Sequence, residues 1–105
     1  MSFDQNKEEF KNRVLSWADK LDIQVRLITV RPLKSKWASC STAGRLTFDG
    51  SLVDMEANLQ DYVIVHELLH FRVPNHGKLW KSLMTAYLGD YEKSRKELER
   101  MTVRK

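Results

Sequence analysis

Apolar residues recur over the first quarter of the chain at the spacing of one helix face. Phe10, Val14, Trp17, Ala18 and Leu21 fall where side chains three or four positions apart share one side of an α-helix. Asp4 to Leu21 is therefore expected to be an amphipathic helix, with Glu8 and Glu9 near its start, where the helix dipole favours negative charge. The period then shortens to two. Ile23 to Val30 is rich in β-branched residues and sets Ile23, Val25 and Leu27 on one side and Gln24 and Arg26 on the other, the repeat of a strand. Pro32 ends it. Two shorter extended segments, Lys36 to Ser41 and Arg45 to Asp49, flank the turn-prone Thr42-Ala43-Gly44 and predict a hairpin.

The next stretch is apolar nearly all round. Leu59 to Val73 reads LQDYVIVHELLHFRV, the signature of a helix surrounded by protein, with Asn58 placed to cap its first turn. Pro74 disfavours a helical Val73 and cannot continue the ladder, so the helix is expected to stop there and turn through Pro74-Asn75-His76-Gly77. Gly77 suits that corner because it tolerates positive φ. A further helix, Lys78 to Leu88, sets Leu79, Leu83 and Tyr87 on one face with Trp80 and Met84 beside it. Gly89 suits its end. Asp90 is positioned to cap a last helix that turns Tyr91, Leu98 and Met101 inward. Residues 1–105 are read as a single α+β domain without repeats or linkers.

Composition narrows the class. With 105 residues and 42% hydrophobic content there is material for one core and not two. No run reaches the ~18 apolar residues of a membrane span, and MSFDQNKEEF is too polar for a secretory leader, so a cytoplasmic location without membrane contact is expected. Cys40, the one cysteine, needs no oxidising compartment and reads as a structural thiol. The formal charge of +4 is concentrated: Ile23 to Phe48 carries Arg26, Arg31, Lys34, Lys36 and Arg45 without an acid. Such a strip is a solvated sheet face that would permit weak, non-specific nucleic acid contact.

Chemistry concentrates between residues 66 and 76, which hold all three histidines. His66-Glu67-Leu68-Leu69-His70 is the HExxH pattern. On a helix, positions i and i+4 stand one above the other, so two imidazoles converge on one ion. Glu67 lies one step round, where its carboxylate reaches a water beside that ion as general base. A catalytic zinc takes three protein ligands and keeps one position open, and His76, just past the break at Pro74, is the candidate third. An acid within an almost wholly apolar helix is costly unless a charge or metal satisfies it, which argues for Glu67 in this role. One zinc ion per chain is expected. Trp37 and Trp80 are assigned to packing. Tyr62, Arg72, Asn75, Tyr87 and Tyr91 are all chemically able to stabilise an oxyanion, and Asp49, Asp54 and Asp90 to orient the imidazoles.

Three blocks resemble one known family. KSKWASCSTAGRLTF, HELLHFRVPNHGKLW and GDYEKSRKEL are similar to the basic Trp-Gly-Ser-Cys-Ser segment, the zinc motif and the closing helix of YgjP-like metallopeptidases, and more distantly to SprT-like zinc proteases. The likeness covers Arg31 to Met101. It implies a small zincin-like fold, a short antiparallel sheet packed on a central HExxH helix with flanking helices. It also implies that His66, His70 and His76 match the ligand positions and Glu67 the base. Ala38 stands where that family has Gly, and the chain is shorter than longer relatives, which predicts a shallow cleft. Val73 occupies the Gly of the extended metzincin motif, and no Met-turn follows.

The leading expectation is a zinc-dependent hydrolase, a metallopeptidase acting on peptides or proteins. The alternative is a catalytically silent module, stabilised by zinc, that binds nucleic acid or protein. Hydrolysis of a small amide is a third. A structural zinc is more often closed by four Cys or His ligands, and three histidines beside a base favour the enzyme.

Overall fold

Residues Phe3–Leu21 form α1 in the computed structural model, which describes residues 3–102 apart from Ser35, Thr42 and Pro74. Its buried face is the one the spacing predicts, with Phe10, Val14, Ala18 and Leu21 all in the core. The helix stops because Asp22 turns left-handed, with φ 56. The Asp22 N–H then donates to Asp19 O at 3.2 Å and the Ile23 N–H to Ala18 O at 2.9 Å, which satisfies carbonyls the last turn would leave open. That turn takes up residues expected in a strand. Ile23 and Val25 pack on the core from it, and β1 begins only at Leu27, running to Arg31. The faces correct as well: Leu27 is 53% exposed, while Val30 is buried.

The expected hairpin is present as β2 (Ala38–Cys40) and β3 (Arg45–Asp49). They pair antiparallel, with Ala38 opposite Phe48 and Cys40 opposite Leu46. Of its predicted turn, Thr42 lies outside the described residues, and Gly44 supplies a φ of 85 that favours glycine. The sheet is mixed, not antiparallel throughout, because the strand order is β1-β3-β2. The chain reverses between β1 and β2 and again between β2 and β3, so β3 slots between them pointing the same way as β1, with Leu27 opposite Arg45. Leu46 and Phe48 are fully buried on the inner face, where Phe48 meets Phe10 edge-on at 5.1 Å.

A 3-10 turn at Gly50–Asp54, not anticipated from the pattern, buries Leu52 and Val53. It leads into α2, Ala57–Leu69, which contacts every other helix and β2. Eight of its residues, from Leu59 to Leu69, are buried; each large apolar side chain among them is worth roughly 1.5–3 kcal/mol of burial. Glu56, not Asn58, precedes the first turn; Asn58 lies within the helix and its amide donates to Ser94 Oγ at 3.1 Å. Asp61 ties α2 to α1 by accepting from Arg13 Nε at 2.6 Å, Arg13 NH2 at 2.9 Å and Trp17 Nε1 at 2.8 Å.

Helix α2 ends at Leu69, short of the predicted Val73, and the expected stop at Pro74 lies outside the described residues. α3 spans Lys78–Leu88 as predicted, but its inner face is Trp80 and Met84, while Leu79 is 62% exposed and Tyr87 39%. The indole fills the space beside α2 and turns that pair outward. Gly89, at φ 70, closes the helix. α4 (Glu92–Thr102) buries Leu98 beneath Tyr91. The N-cap position of α4 belongs to Tyr91, whose carbonyl accepts from Arg95 N at 3.0 Å; Asp90, the predicted cap, is exposed one residue earlier.

Candidate metal centre

His66 sits in the last turn of α2, and His70 follows directly after it with φ −61 and ψ −22. Those values are still helical, so the one-above-the-other relation of i and i+4 survives although the helix formally ends. The chain turns back through Asn75, whose side-chain oxygen accepts from Gly77 N at 3.1 Å, and this returns His76 to the same spot. Gly77 itself has φ −81, so the expected positive φ is absent. A Cβ there would lie 3.0 Å from that Asn75 oxygen, a tight contact that a small shift of the Asn75 side chain relieves.

One potential ligand atom from each of His66, His70 and His76 lies within 4.8 Å of the others, the only such group of three among the described residues. The Nε2 atoms of His70 and His76 are 3.4 Å apart. Two lone pairs facing at that distance need a shared proton or cation between them. Two nitrogens each ~2.0–2.1 Å from a tetrahedral ion stand about 3.3–3.4 Å apart, so the donor set and its spacing fit a metal of that kind.

The electrostatics favour neutral imidazoles, the form that ligates. Burial pushes His70 below the usual histidine range and the two neighbouring imidazoles add to this, while the charge of Glu67 opposes. His76 is lowered in the same sense, by desolvation and then by His66. Glu67 is 8% exposed, and its Oε2 lies 3.0 Å from His66 Nδ1. A proton on that Nδ1 leaves Nε2 with its lone pair. The same contact supplies the partner that a buried carboxylate requires.

These groups open onto a cavity of about 650 Å³. His66, Glu67 and His76 form part of its wall, with Trp37 and Ala38 beside β2 on one side and Tyr62, Tyr91 and Leu98 on another. Trp37 and Trp80 thus combine packing with lining. Of the five oxyanion candidates, Tyr62 and Tyr91 line this cavity. Tyr62 is pushed up to about 12, chiefly by burial, so its phenol stays a donor. Asn75 holds Gly77, Arg72 donates to the carbonyl of Asp22, and Tyr87 packs edge-on against Trp17.

None of the three carboxylates considered for orienting imidazoles lines this cavity. Asp49 accepts from Leu33 N at 2.8 Å and from Ser51, Asp54 from Asn6 at 2.8 Å, and Asp90 lines a separate small cavity. Cys40 stays half-buried and free in β2, its thiol raised by burial and then by Glu67. Arg95 lines the cavity, clamped between Glu92 at 2.7 Å and Glu99 at 2.5 Å. The sequence held no signal for it, because α4 reaches the site only through tertiary packing. Tyr62 was accessible, being four residues before His66 on the same helix face. Arg26, Arg31, Lys34, Lys36 and Arg45 are all exposed, with Lys36 at the cavity. Among the described residues, no helix is long and apolar enough to cross a membrane.

Residues 3–101 match the family described as YgjP-like, metallopeptidase domain. An uncharacterized protein of Methanocaldococcus jannaschii is 30% identical over 104 residues, covering 94% of each chain. Among solved structures, the crystal structure of the metallopeptidase zymogen jannalysin of Methanocaldococcus jannaschii aligns with a TM-score of 0.73 at 29% identity, over 88% of this chain and 93% of that one. The metallopeptidase zymogen abylysin of Pyrococcus abyssi aligns with a TM-score of 0.69 at 23% identity, over 90% and 93%, a likeness of fold.

Proposed function

The chain belongs to the YgjP-like metallopeptidase family, and from that premise we propose that it cleaves peptide bonds with one zinc ion held by His66, His70 and His76 and with Glu67 as general base. The observation that carries this reading is the convergence of three imidazoles within 4.8 Å beside a buried carboxylate. Three nitrogens suit a site that keeps a position open, and a purely structural zinc would be closed by a fourth ligand.

A bound zinc ion supplies Lewis acidity that polarises the scissile carbonyl and acidifies water. The chain's own groups do the rest. Glu67 takes a proton from the attacking water on its carboxylate and returns it to the leaving amine nitrogen. The water stays within reach because Leu68, Leu69 and Val63 are buried and fix the helix that carries Glu67. Among the described residues β2 pairs with β3 alone, so its outer edge is able to hold an extended peptide by main-chain hydrogen bonds. Tyr62, Tyr91 and Leu98 give the cavity apolar walls for side chains.

The test is Glu67→Gln. The amide is nearly isosteric, so fold and metal content should persist while hydrolysis falls by about 10²–10⁴-fold. Wild type and variant are incubated with a mixed peptide library, with zinc content and circular dichroism measured on both. Equal cleavage by both removes Glu67 from its role. Cleavage by neither counts against the enzyme and for the zinc-stabilised binding module.

A further inference from the structure

We infer that Trp80 is a positioning residue of the metal centre, its indole setting the ring plane of His76, where a carboxylate ordinarily would, and backing the ring of His66. The inference rests on the metal reading above.

A ligand imidazole needs something to fix its ring. The usual device is a hydrogen bond from the nitrogen that faces away from the metal to a carboxylate or carbonyl. Here His66 has Glu67, but the hydrogen-bond partner of His76 among the described residues is His70. His76 is also the one ligand that stands in a loop and is exposed. Its ring is held by contacts with neighbouring rings, and the one with Trp80 is the shortest of them. The indole lies over His76 at 4.4 Å between centroids with 35° between planes, and meets His66 edge-on at 5.2 Å and 83°. The two imidazoles are 5.0 Å apart, so the one indole touches both.

The indole is fixed in turn. Trp80 is 4% exposed and meets Tyr91 edge-on at 6.1 Å; Tyr91 stacks on Tyr62 at 6.0 Å and 24°, and Tyr62 returns to His66 at 5.8 Å. The four rings close a circuit joining α2, α3 and the residue before α4. One further feature separates this from ordinary core packing. Trp80 Nε1 is buried without a hydrogen-bond partner among the described residues, a desolvation cost that phenylalanine would avoid. An indole stands here despite that cost, as expected if its contact with both imidazoles is what matters.

The test uses cobalt(II) as the probe on the full chain. Visible absorption reads coordination geometry, competition titration reads affinity, and thermal unfolding of the metal-free forms reads stability. Trp80→Phe should weaken cobalt binding about tenfold and Trp80→Leu up to about a hundredfold, with a changed visible band. Met84→Ala controls for core damage, since Met84 is fully buried on the same helix. It should lower stability and leave affinity and band unchanged. Where Trp80→Leu does not fold, Trp80→Phe decides. Wild-type cobalt binding with unaltered Trp80 variants overturns the inference alone, as does an equal loss in Met84→Ala. No cobalt binding by wild type overturns the metal reading and the inference with it.

Discussion

Replacing Asp61 by Ala removes the acceptor that joins α1 to the helix carrying the site. Three donors lose their partner at once: Arg13 Nε at 2.6 Å, Arg13 NH2 at 2.9 Å and Trp17 Nε1 at 2.8 Å. The Arg13 side chain is 38% exposed, so water takes over much of its share, and that pair is worth roughly 1 kcal/mol. The indole N–H has a charged acceptor, a bond worth ~1.5 kcal/mol or somewhat more. The expected loss is therefore ~2–3 kcal/mol, or roughly 10–20 °C in the thermal midpoint of a chain this size. Urea unfolding of the metal-free protein measures it. Trp17→Phe isolates the indole bond, and a cycle with Arg13→Ala should give a coupling of ~1 kcal/mol. An Asp61→Ala protein within ~0.5 kcal/mol of wild type, the range of ordinary surface changes, would refute the reasoning. Metal affinity should not change while the variant is folded, because Asp61 does not line the main cavity.

Three further outcomes follow from the same geometry. Replacing His66, His70 or His76 by Ala should sharply reduce zinc content from close to one ion per chain; unchanged zinc in His76→Ala by elemental analysis would remove that residue from the site. Burial holds His70 and His76 below the usual histidine range, so between their folded values and the unfolded value of about 6.5 the unfolded chain binds more protons. Metal-free stability should be fully present above that value and fall as pH drops through the window, and equal denaturation midpoints at pH 7.5 and 5.5 would contradict this. Asp22→Gly should raise stability by about 0.5 kcal/mol, since glycine adopts the left-handed conformation without the strain of a Cβ, partly offset by its freer unfolded chain; a lower urea midpoint would count against the strain.

The sequence was most legible where one physical signal acted alone. The Phe10 to Leu21 stripe predicted the buried face of α1, and the near-continuous apolar run predicted that α2 would be central. The His and Glu spacing within residues 66–76 depends only on helix geometry and one turn, so the cluster was readable before any fold was known. Signals failed where two competed. The alternation from Ile23 looked like a strand, but the left-handed turn at Asp22 occupies those residues and the strand starts later, with Leu27 outward. On α3 two apolar stripes were available, and the larger ring of Trp80 claimed the inner side over Leu79. Arg95 and the aromatic circuit could not be read, because they arise only when α4 is folded back across α2.

The strand order carries a consequence for how the chain assembles. β3 is the last of the three strands along the sequence and the middle one in the sheet. Until Arg45–Asp49 docks, β1 and β2 have no shared partner, and both are exposed edges of the kind that pair with other chains. The four ligating and basic groups can approach one another through local helix formation within microseconds, and the β2–β3 hairpin closes on a similar scale, whereas β1 must await closure of the longer loop that brings it beside β3. A nascent chain released before Asp49 would therefore hold no sheet at all, and β1, the earliest strand in sequence, would be the last to join.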